Sequence, residues 1–178
     1  MEYKTGLNVD IKPFNPSGDR ESGGIYFSRE DILSFLEHGC WIREVTLPEG
    51  EEIYENPGRP KKWKAHRVIL GERKKIDLEV IKELVDSGAS IHSYNNCAIM
   101  WASSKGHLDV VRYFVENGAN SHVGINRALR WASSKGHLDV VRYFVEKGAD
   151  IHTYNNDALK LALRNGHMAV VRYLKTIN

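Results

Sequence analysis

Eight histidines lie along the 178-residue chain, and six recur at a fixed interval: His92, His122 and His152, then His107, His137 and His167. Imidazole is a common metal ligand, so a periodic histidine row raises zinc binding as the first chemistry to weigh. Helices packed side by side sit about 8–10 Å apart. Equivalent histidines one unit apart therefore cannot share a zinc whose ligands lie at about 2 Å. His107, His137 and His167 each follow a glycine, which points to a turn where the ring bonds backbone groups; no metal site is expected. A second row holds Arg112, Arg142 and Arg172, each followed by a tyrosine (Tyr113, Tyr143, Tyr173). The arginines read as a solvated face and the tyrosines as half-buried between units. Phosphate recognition would need flanking aromatics and more charge. Trp101 and Trp131 share one position and read as core or groove packing, with exposure as binding anchors the alternative.

No G-x-S-x-G, H-E-x-x-H, P-loop or G-x-G-x-x-G pattern occurs, so no catalytic and no cofactor-binding residue is assigned. Cys40 and Cys97 form no CxxC pair and read as small buried thiols in a reducing compartment. Lys61, Lys62 and Lys64 beside Trp63 read as a solvated basic loop. With 25 basic and 23 acidic residues, the net charge of +2 is too mild to argue for nucleic acid. An apolar share of 42% excludes disorder as the main state, and 15 Gly, 5 Pro and 2 Cys exclude collagen-like and disulfide-scaffold chains. The opening MEYKTGLNVD lacks a basic start followed by an apolar run. No apolar stretch approaches the roughly 18 residues of a membrane span. An intracellular protein without membrane contact is expected.

The elements that carry these rows are legible from a repeat. Residues 101–116 and 131–146 are the same sixteen letters, WASSKGHLDVVRYFVE, and the period of 30 continues through Gly166-His167. Backward, LEVIKELVDSG (78–88) aligns with LDVVRYFVENG (108–118). The array thus comprises a leading half-repeat (77–91) and repeats 92–121, 122–151 and 152–178. In each, Asn96, Asn126 or Asn156 is expected to cap a first helix (CAIMWASSK, RALRWASSK, DALKLALRN). Gly106, Gly136 and Gly166 end these helices in the left-handed conformation. Second helices are expected at Leu108–Glu116, Leu138–Glu146 and Met168–Lys175, with apolar faces at helical spacing and Asp109 and Asp139 in their first turns. A lone hairpin cannot bury its apolar face; stacked hairpins share one core.

These units resemble ankyrin repeats. The resemblance rests on GHLDVVRYFVENGA, GHLDVVRYFVEKGA and first helices of the type xALxxA, and covers residues 77–178. The usual Thr-Pro-Leu-His opening is replaced by residues 97–100, 127–130 and 157–160, so its Thr–His hydrogen bonding is absent. The unit has 30 residues rather than the usual 33; the deficit falls between His92 and Cys97, and blunted hairpin tips are expected.

Residues 1–75 lack the period and read as a small α+β domain. Strands are expected at 23–28, 41–47, around Ile53-Tyr54 and at 63–70. Ser28 is expected to cap a helix with Asp31 three residues later, ended by Gly39. Residues 1–22 read as loop. GLNVDIKPFNP, GGIYFSREDI, WIREVTLPEG and KWKAHRVIL resemble the N-terminal domain that precedes ankyrin arrays in proteins of amoeba-infecting giant viruses. That resemblance implies a viral protein acting in host cytoplasm and supplies no activity.

The fold expected is a small α+β N-terminal domain followed by an all-α ankyrin-repeat solenoid, and the function expected is non-enzymatic binding of a protein partner, host-derived and mildly acidic. The residues assigned to partner binding are Tyr94, Asn95, Lys105, Arg127, Arg130, Lys135, Tyr154, Asn155, Lys160 and Arg164, a mix of aromatic and basic groups. The C-terminal repeat lacks a polar cap, so Val170, Tyr173, Leu174 and Ile177 are expected to fray or to support self-association. The alternative is a nucleotide-binding or ADP-ribosyl-transfer-like remnant in residues 1–75, because a glycine pair leading into a Tyr-bearing strand also occurs in such enzymes; its pocket would lie near Gly23, Gly24, Tyr26 and His66. A structural role in the virion is a third reading.

Overall fold

The computed structural model describes residues 4–9, 25–39, 41–56, 58–119 and 121–177, with the side chains of Val9, His38 and Tyr94 outside that description. Cys40, Gly23 and Gly24 likewise lie outside the described residues. The chain divides into two compact units, 1–94 and 95–178.

Among the described residues of the first unit, eight short strands and one 3-10 helix precede an α-helix; the strands are β1 (Gly6–Val9), β2 (Ile25–Phe27), β3 (Trp41–Ile42), β4 (Val45–Thr46), β5 (Tyr54–Asn56), β6 (Lys62–Ala65), β7 (Arg67–Leu70) and β8 (Lys74–Lys75), and the α-helix is α1 (Leu78–Asp86). The strands pair antiparallel in the orders β1-β7-β4, β2-β6-β5 and β3-β8. The single strand expected at 63–70 is instead two, broken at His66. The cause is Glu51. Its Oε1 accepts the backbone N–H of both His66 and Arg67, each at 2.9 Å. Successive N–H groups of a regular strand point to opposite sides, so two that converge on one oxygen force a bend. β6 then joins one sheet and β7 another. Ile25, Ala65, Val68 and Leu70 form a buried cluster drawn from both, with Phe27, Val45 and Leu47 packed against it.

The strand expected at 41–47 is also split: β3 pairs with β8 and β4 with β7. Between them, Arg43 Nη1 donates to the Gly71 carbonyl at 2.7 Å and Gly71 N–H donates to the Glu44 carbonyl at 3.0 Å. Residues 6–9, expected as loop, form an edge strand. Leu7 is exposed there, so backbone pairing rather than apolar burial makes it a strand. The helix expected after Ser28 is a 3-10 helix, Ile32–His38, with no side-chain cap. Ser28 Oγ donates to the Lys61 carbonyl at 2.7 Å. The Asp31 carboxylate, the expected capping partner, accepts from Lys61 N–H at 2.5 Å and from Ser93 Oγ.

Beyond α1 come three helical hairpins: α2 (Ser93–Lys105) with α3 (Leu108–Glu116), α4 (His122–Lys135) with α5 (Leu138–Glu146), and α6 (Thr153–Arg164) with α7 (Met168–Thr176). The second helices lie where the apolar spacing places them, the last running one residue further. Val110, Val111 and Phe114, with Val140, Val141 and Phe144, are buried along them. The described connectors between hairpins contain no strand.

The first helices start differently from expectation. The cap of α4 is Ser121, whose Oγ accepts Gly124 N–H at 3.2 Å, and Asn126 lies inside the helix. Asn95 and Asn96 (φ 59° and 60°), and Tyr154, Asn155 and Asn156 (φ 54°, 60° and 59°), are left-handed. Asparagine tolerates that region because its short amide bonds locally; for tyrosine it is strained. At the C-terminus, Val170 and Leu174 are buried and Tyr173 is half-buried, so of the four residues expected at an open edge only Ile177 is exposed.

A repeated lock joins the hairpins. Gly106 and Gly136 are left-handed (φ +74° and +80°), and the next repeat's histidine ring lies on each. A Cβ at Gly106 would stand 2.5 Å from His137 Nδ1, and one at Gly136 would stand 2.5 Å from His167 Nδ1. His137 Nε2 lies 3.0 Å from the Ser104 carbonyl and His167 Nε2 lies 3.0 Å from the Ser134 carbonyl. A carbonyl only accepts, so Nε2 carries the proton in both rings.

Two outcomes follow. Gly136→Ala should lower unfolding free energy by about 2–4 kcal/mol, since both backbone strain and the His167 contact oppose a methyl group. Gly166→Ala, at φ +76° with nothing within 4 Å of its Cβ, should lose only the left-handed penalty of about 1 kcal/mol. Equal losses in urea unfolding would contradict the lock. In the first unit, Glu51 also accepts from Arg67 Nε at 2.8 Å. Burial raises its pKa, but the bonds from Arg67 and His66 and the Arg67 charge outweigh that and hold it below the ordinary 4.5. A depressed carboxyl stabilises the fold above its ordinary value and ceases to as pH falls through its folded value. Glu51→Gln should therefore lose about 2 kcal/mol at neutral pH, and a smaller difference should remain in acid-limb unfolding curves.

Candidate functional site

α4 turns Ile125, Ala128, Leu129 and Ala132 inward, a spacing of three and four that defines one buried stripe. Val123, Trp131 and Lys135 are exposed, and Arg127 and Arg130 are half-buried. α6 follows the same rule: Ala158 and Ala162 are buried, while Lys160, Leu163 and Arg164 are exposed. α4 and α6 pack against each other.

Arg130 ties the two helices together. Its Nε donates to Asp157 Oδ2 at 2.5 Å, and Nη2 reaches the same oxygen. Its guanidinium lies 4.8 Å from the centroid of the Tyr154 ring, so one cation holds both the carboxylate and the strained tyrosine. Asn126 fastens the same connector: its amide donates to Thr153 Oγ1 at 3.0 Å and its carbonyl accepts Asp150 N–H at 2.9 Å. Asp150 accepts His152 N–H and the Thr153 hydroxyl, which hold its carboxyl below the usual carboxylate range.

The ten residues assigned from sequence divide accordingly. Arg127, Arg130 and Lys135 lie on α4 and Lys160 and Arg164 on α6, with Tyr154 and Asn155 at the start of α6. Lys105 ends α2, and Asn95 is exposed near its start. The Tyr94 side chain lies outside the described residues. Arg130 is committed within the fold. Lys105, Arg127, Lys135, Lys160 and Arg164 have no ion-pair partner among the described residues.

Sequence reasoning left Trp131, Val123 and Leu163 out of the site, yet they are exposed at 48%, 65% and 55%. Trp101 is only 8% exposed despite sitting in the identical sixteen-residue segment. The arginine row is not simply solvated: Arg112 lies 4.8 Å from the Tyr143 ring and Arg142 5.2 Å from the Tyr173 ring, each over the next repeat's tyrosine. Cys97 is partly exposed rather than buried.

The pocket considered for a nucleotide is not assembled by the described residues. Tyr26 lines a cavity of about 190 Å³ with Phe27, Ser28, Ile32, Phe35 and Lys62, and His66 is not among its walls. The Lys62 and Lys64 ammonium groups lie 5.0 and 5.2 Å from the Tyr26 ring. Among the described residues no group of three or more His, Cys, Asp or Glu is placed to hold a metal ion, and no helix is long and apolar enough to cross a membrane.

Helical hairpins in thirty-residue register, each locked to its neighbour by a glycine and a histidine, define a stacked helical-repeat protein. The comparisons agree. A family model described as ankyrin repeats (many copies) matches residues 129–174, and one described as ankyrin repeat matches residues 94–125. The chain belongs to the ankyrin-repeat family. It is 39% identical over 113 residues to a protein of Acanthamoeba polyphaga mimivirus provisionally named an ankyrin repeat protein, covering 59% of this chain and 37% of that one. It is 33% identical over 112 residues to an uncharacterized protein of the same virus, covering 60% of this chain and 81% of that one. A third mimivirus protein, also provisionally named an ankyrin repeat protein, is 29% identical over 92 residues, covering 51% of this chain and 20% of that one.

Arg130 and Asp157 are half-buried, with side chains 34% and 25% exposed. A double-mutant cycle of Arg130→Ala and Asp157→Ala should return a coupling of about 1 kcal/mol in urea unfolding. Additivity of the two changes would show that the pair does not fasten α6.

Proposed function

We propose that this chain is a non-enzymatic protein-interaction module whose ankyrin array captures a host protein with a mildly acidic surface. Family membership supports protein binding in general. The observation that carries the finer reading is the set of cations on α4 and α6: Arg127, Lys135, Lys160 and Arg164 have no ion-pair partner among the described residues, and Asp157 of α6 is already held by Arg130. Unpaired cations beside an exposed tryptophan favour a partner that supplies carboxylates and an apolar contact. Mimivirus relatives support a setting inside an infected amoeba, and we place the protein in host cytoplasm. Residues 1–75 are proposed as a separate domain that carries the array, related to the domain preceding arrays in other giant-virus proteins.

The test is partner capture from amoeba lysate by the full chain and by a variant with serine at Arg127, Lys135, Lys160 and Arg164, followed by quantitative mass spectrometry at low and high salt. These side chains stand outside the core, so circular dichroism and melting should stay close to wild type. Capture should be salt-sensitive and lost in the variant. The same partners recovered equally by both proteins would overturn the reading.

A further inference from the structure

A cavity of about 620 Å³ lies in the first unit, walled by described residues of that unit. All three sheets contribute: Phe27 of β2 and Trp63 of β6, Val45 of β4, and Ile42 of β3. Ile32 of the 3-10 helix and Leu84 of α1 join the apolar lining. Strand alternation accounts for it. Ile25 and Phe27 share one face of β2, and Trp63 and Ala65 share one face of β6. Ile25 pairs with Ala65 and Phe27 with Trp63, so the four side chains lie on one face of the sheet. At the Ile25–Ala65 end, Val68 and Leu70 pack against that face. At the Phe27–Trp63 end, the face looks onto the cavity.

Size and lining narrow the occupant. Protein cores are close-packed, and an apolar void of about 150 Å³ already takes benzene. A volume of about 620 Å³ exceeds a packing defect and falls within the roughly 300–1,000 Å³ of small-molecule sites. Two smaller cavities of about 190 Å³ adjoin it at the 3-10 helix, and Ile32 borders all three. A space divided in this way suits a flexible chain better than a rigid ring system. The charged wall residues are Arg29, Arg43 and Glu44. Arg29 is exposed and has no ion-pair partner among the described residues. The Arg43 guanidinium is fixed by two neutral oxygens, the Gly71 carbonyl at 2.7 Å and the Thr5 hydroxyl at 3.0 Å. Glu44 lies within reach of Lys74: the hydrogen bond and charge of Glu83, with a smaller pull from Glu44, hold that ammonium above its ordinary pKa. The charge left to meet a ligand is positive.

We propose that the first unit binds a medium-chain carboxylate, with its alkyl chain in the apolar cavity and its head group drawn to Arg29 and Arg43 on the wall. This site is independent of whatever the array captures.

The test uses the full chain with labelled Ile, Leu and Val methyl groups, titrated by NMR and calorimetry with decanoate below its micelle concentration. Comparison ligands are octanoate, decan-1-ol and decyltrimethylammonium. Decanoate should saturate one site and shift the methyls of Ile32, Ile42, Val45 and Leu84 while leaving those of residues 108–174 in place. Octanoate, two methylenes shorter, should bind about tenfold more weakly. Decanol and the ammonium should bind more weakly than decanoate. Arg29→Ala should weaken decanoate about threefold to fivefold without changing decanol. Ile32→Trp, which places an indole in the space, should abolish binding; the methyl shifts are read on the unaltered chain and decide the matter even where that variant unfolds. Phosphatidylglycerol vesicles should not carry the chain on flotation. No saturable binding, shifts centred on the array, equal affinity for octanoate and decanoate, decanol or the ammonium bound as tightly as decanoate, or co-flotation with the vesicles would overturn the inference.

Discussion

A histidine ring resting on a left-handed glycine sets the register of the array. Glycine is required twice over at Gly106 and Gly136: the backbone is in the left-handed region, and the face a Cβ would occupy is filled by imidazole. The ring in turn must present Nε2–H to a serine carbonyl one repeat back. Three residue types on two repeats are thus fixed together by one contact. Because the histidine also starts its own second helix, the same residue sets where the next helix begins. Neighbouring hairpins cannot slide without breaking both.

The lock does not act alone. On the second helices, each arginine lies over the tyrosine of the following repeat, a contact worth about 0.5–1 kcal/mol at an exposed site. On the first helices, Asn126 and Arg130 tie the connector that leads into α6. Small alanines fill the space between, with Ala128, Ala132, Ala158 and Ala162 all buried. Polar contacts specify the stacking order, while the apolar contacts of a shared core supply most of the driving force.

The array was far more legible in the sequence than the first unit, for physical reasons. A second helix such as Leu108–Glu116 carries its own apolar periodicity and stop glycine, so local residues determine it. The turns Gly106-His107 and Gly136-His137 were legible as structural sites, though not the partner of each ring, which comes from another repeat. The starts of the first helices were misread because an asparagine suits a cap and a left-handed turn equally well; Asn96 and Asn156 took the second role and Asn126 neither. In the first unit, the alternation of 41–47 and 63–70 is the same whether a segment stays in one sheet or bends into two. What decides at 63–70 is Glu51, over a dozen residues away in sequence from the N–H groups it accepts, and the split at 41–47 is bridged by Gly71, also distant in sequence. Trp131 could not be separated from Trp101 by any local signal, since their segments are identical.

That identity also shows how a repeat protein acquires a distinctive surface without a distinctive motif. The polar side chains with internal duties, Asn126, Arg130, Asp157 and His137, each answer a group on an adjacent repeat. Arg127, which is half-buried, and Lys135, Lys160 and Arg164, which are exposed, have no ion-pair partner among the described residues. Drawing His137 into the lock leaves the indole four residues before Lys135 without the ring that its twin possesses. Stacking therefore does two things through one residue. It joins hairpin to hairpin, and it leaves an aromatic side chain open to solvent.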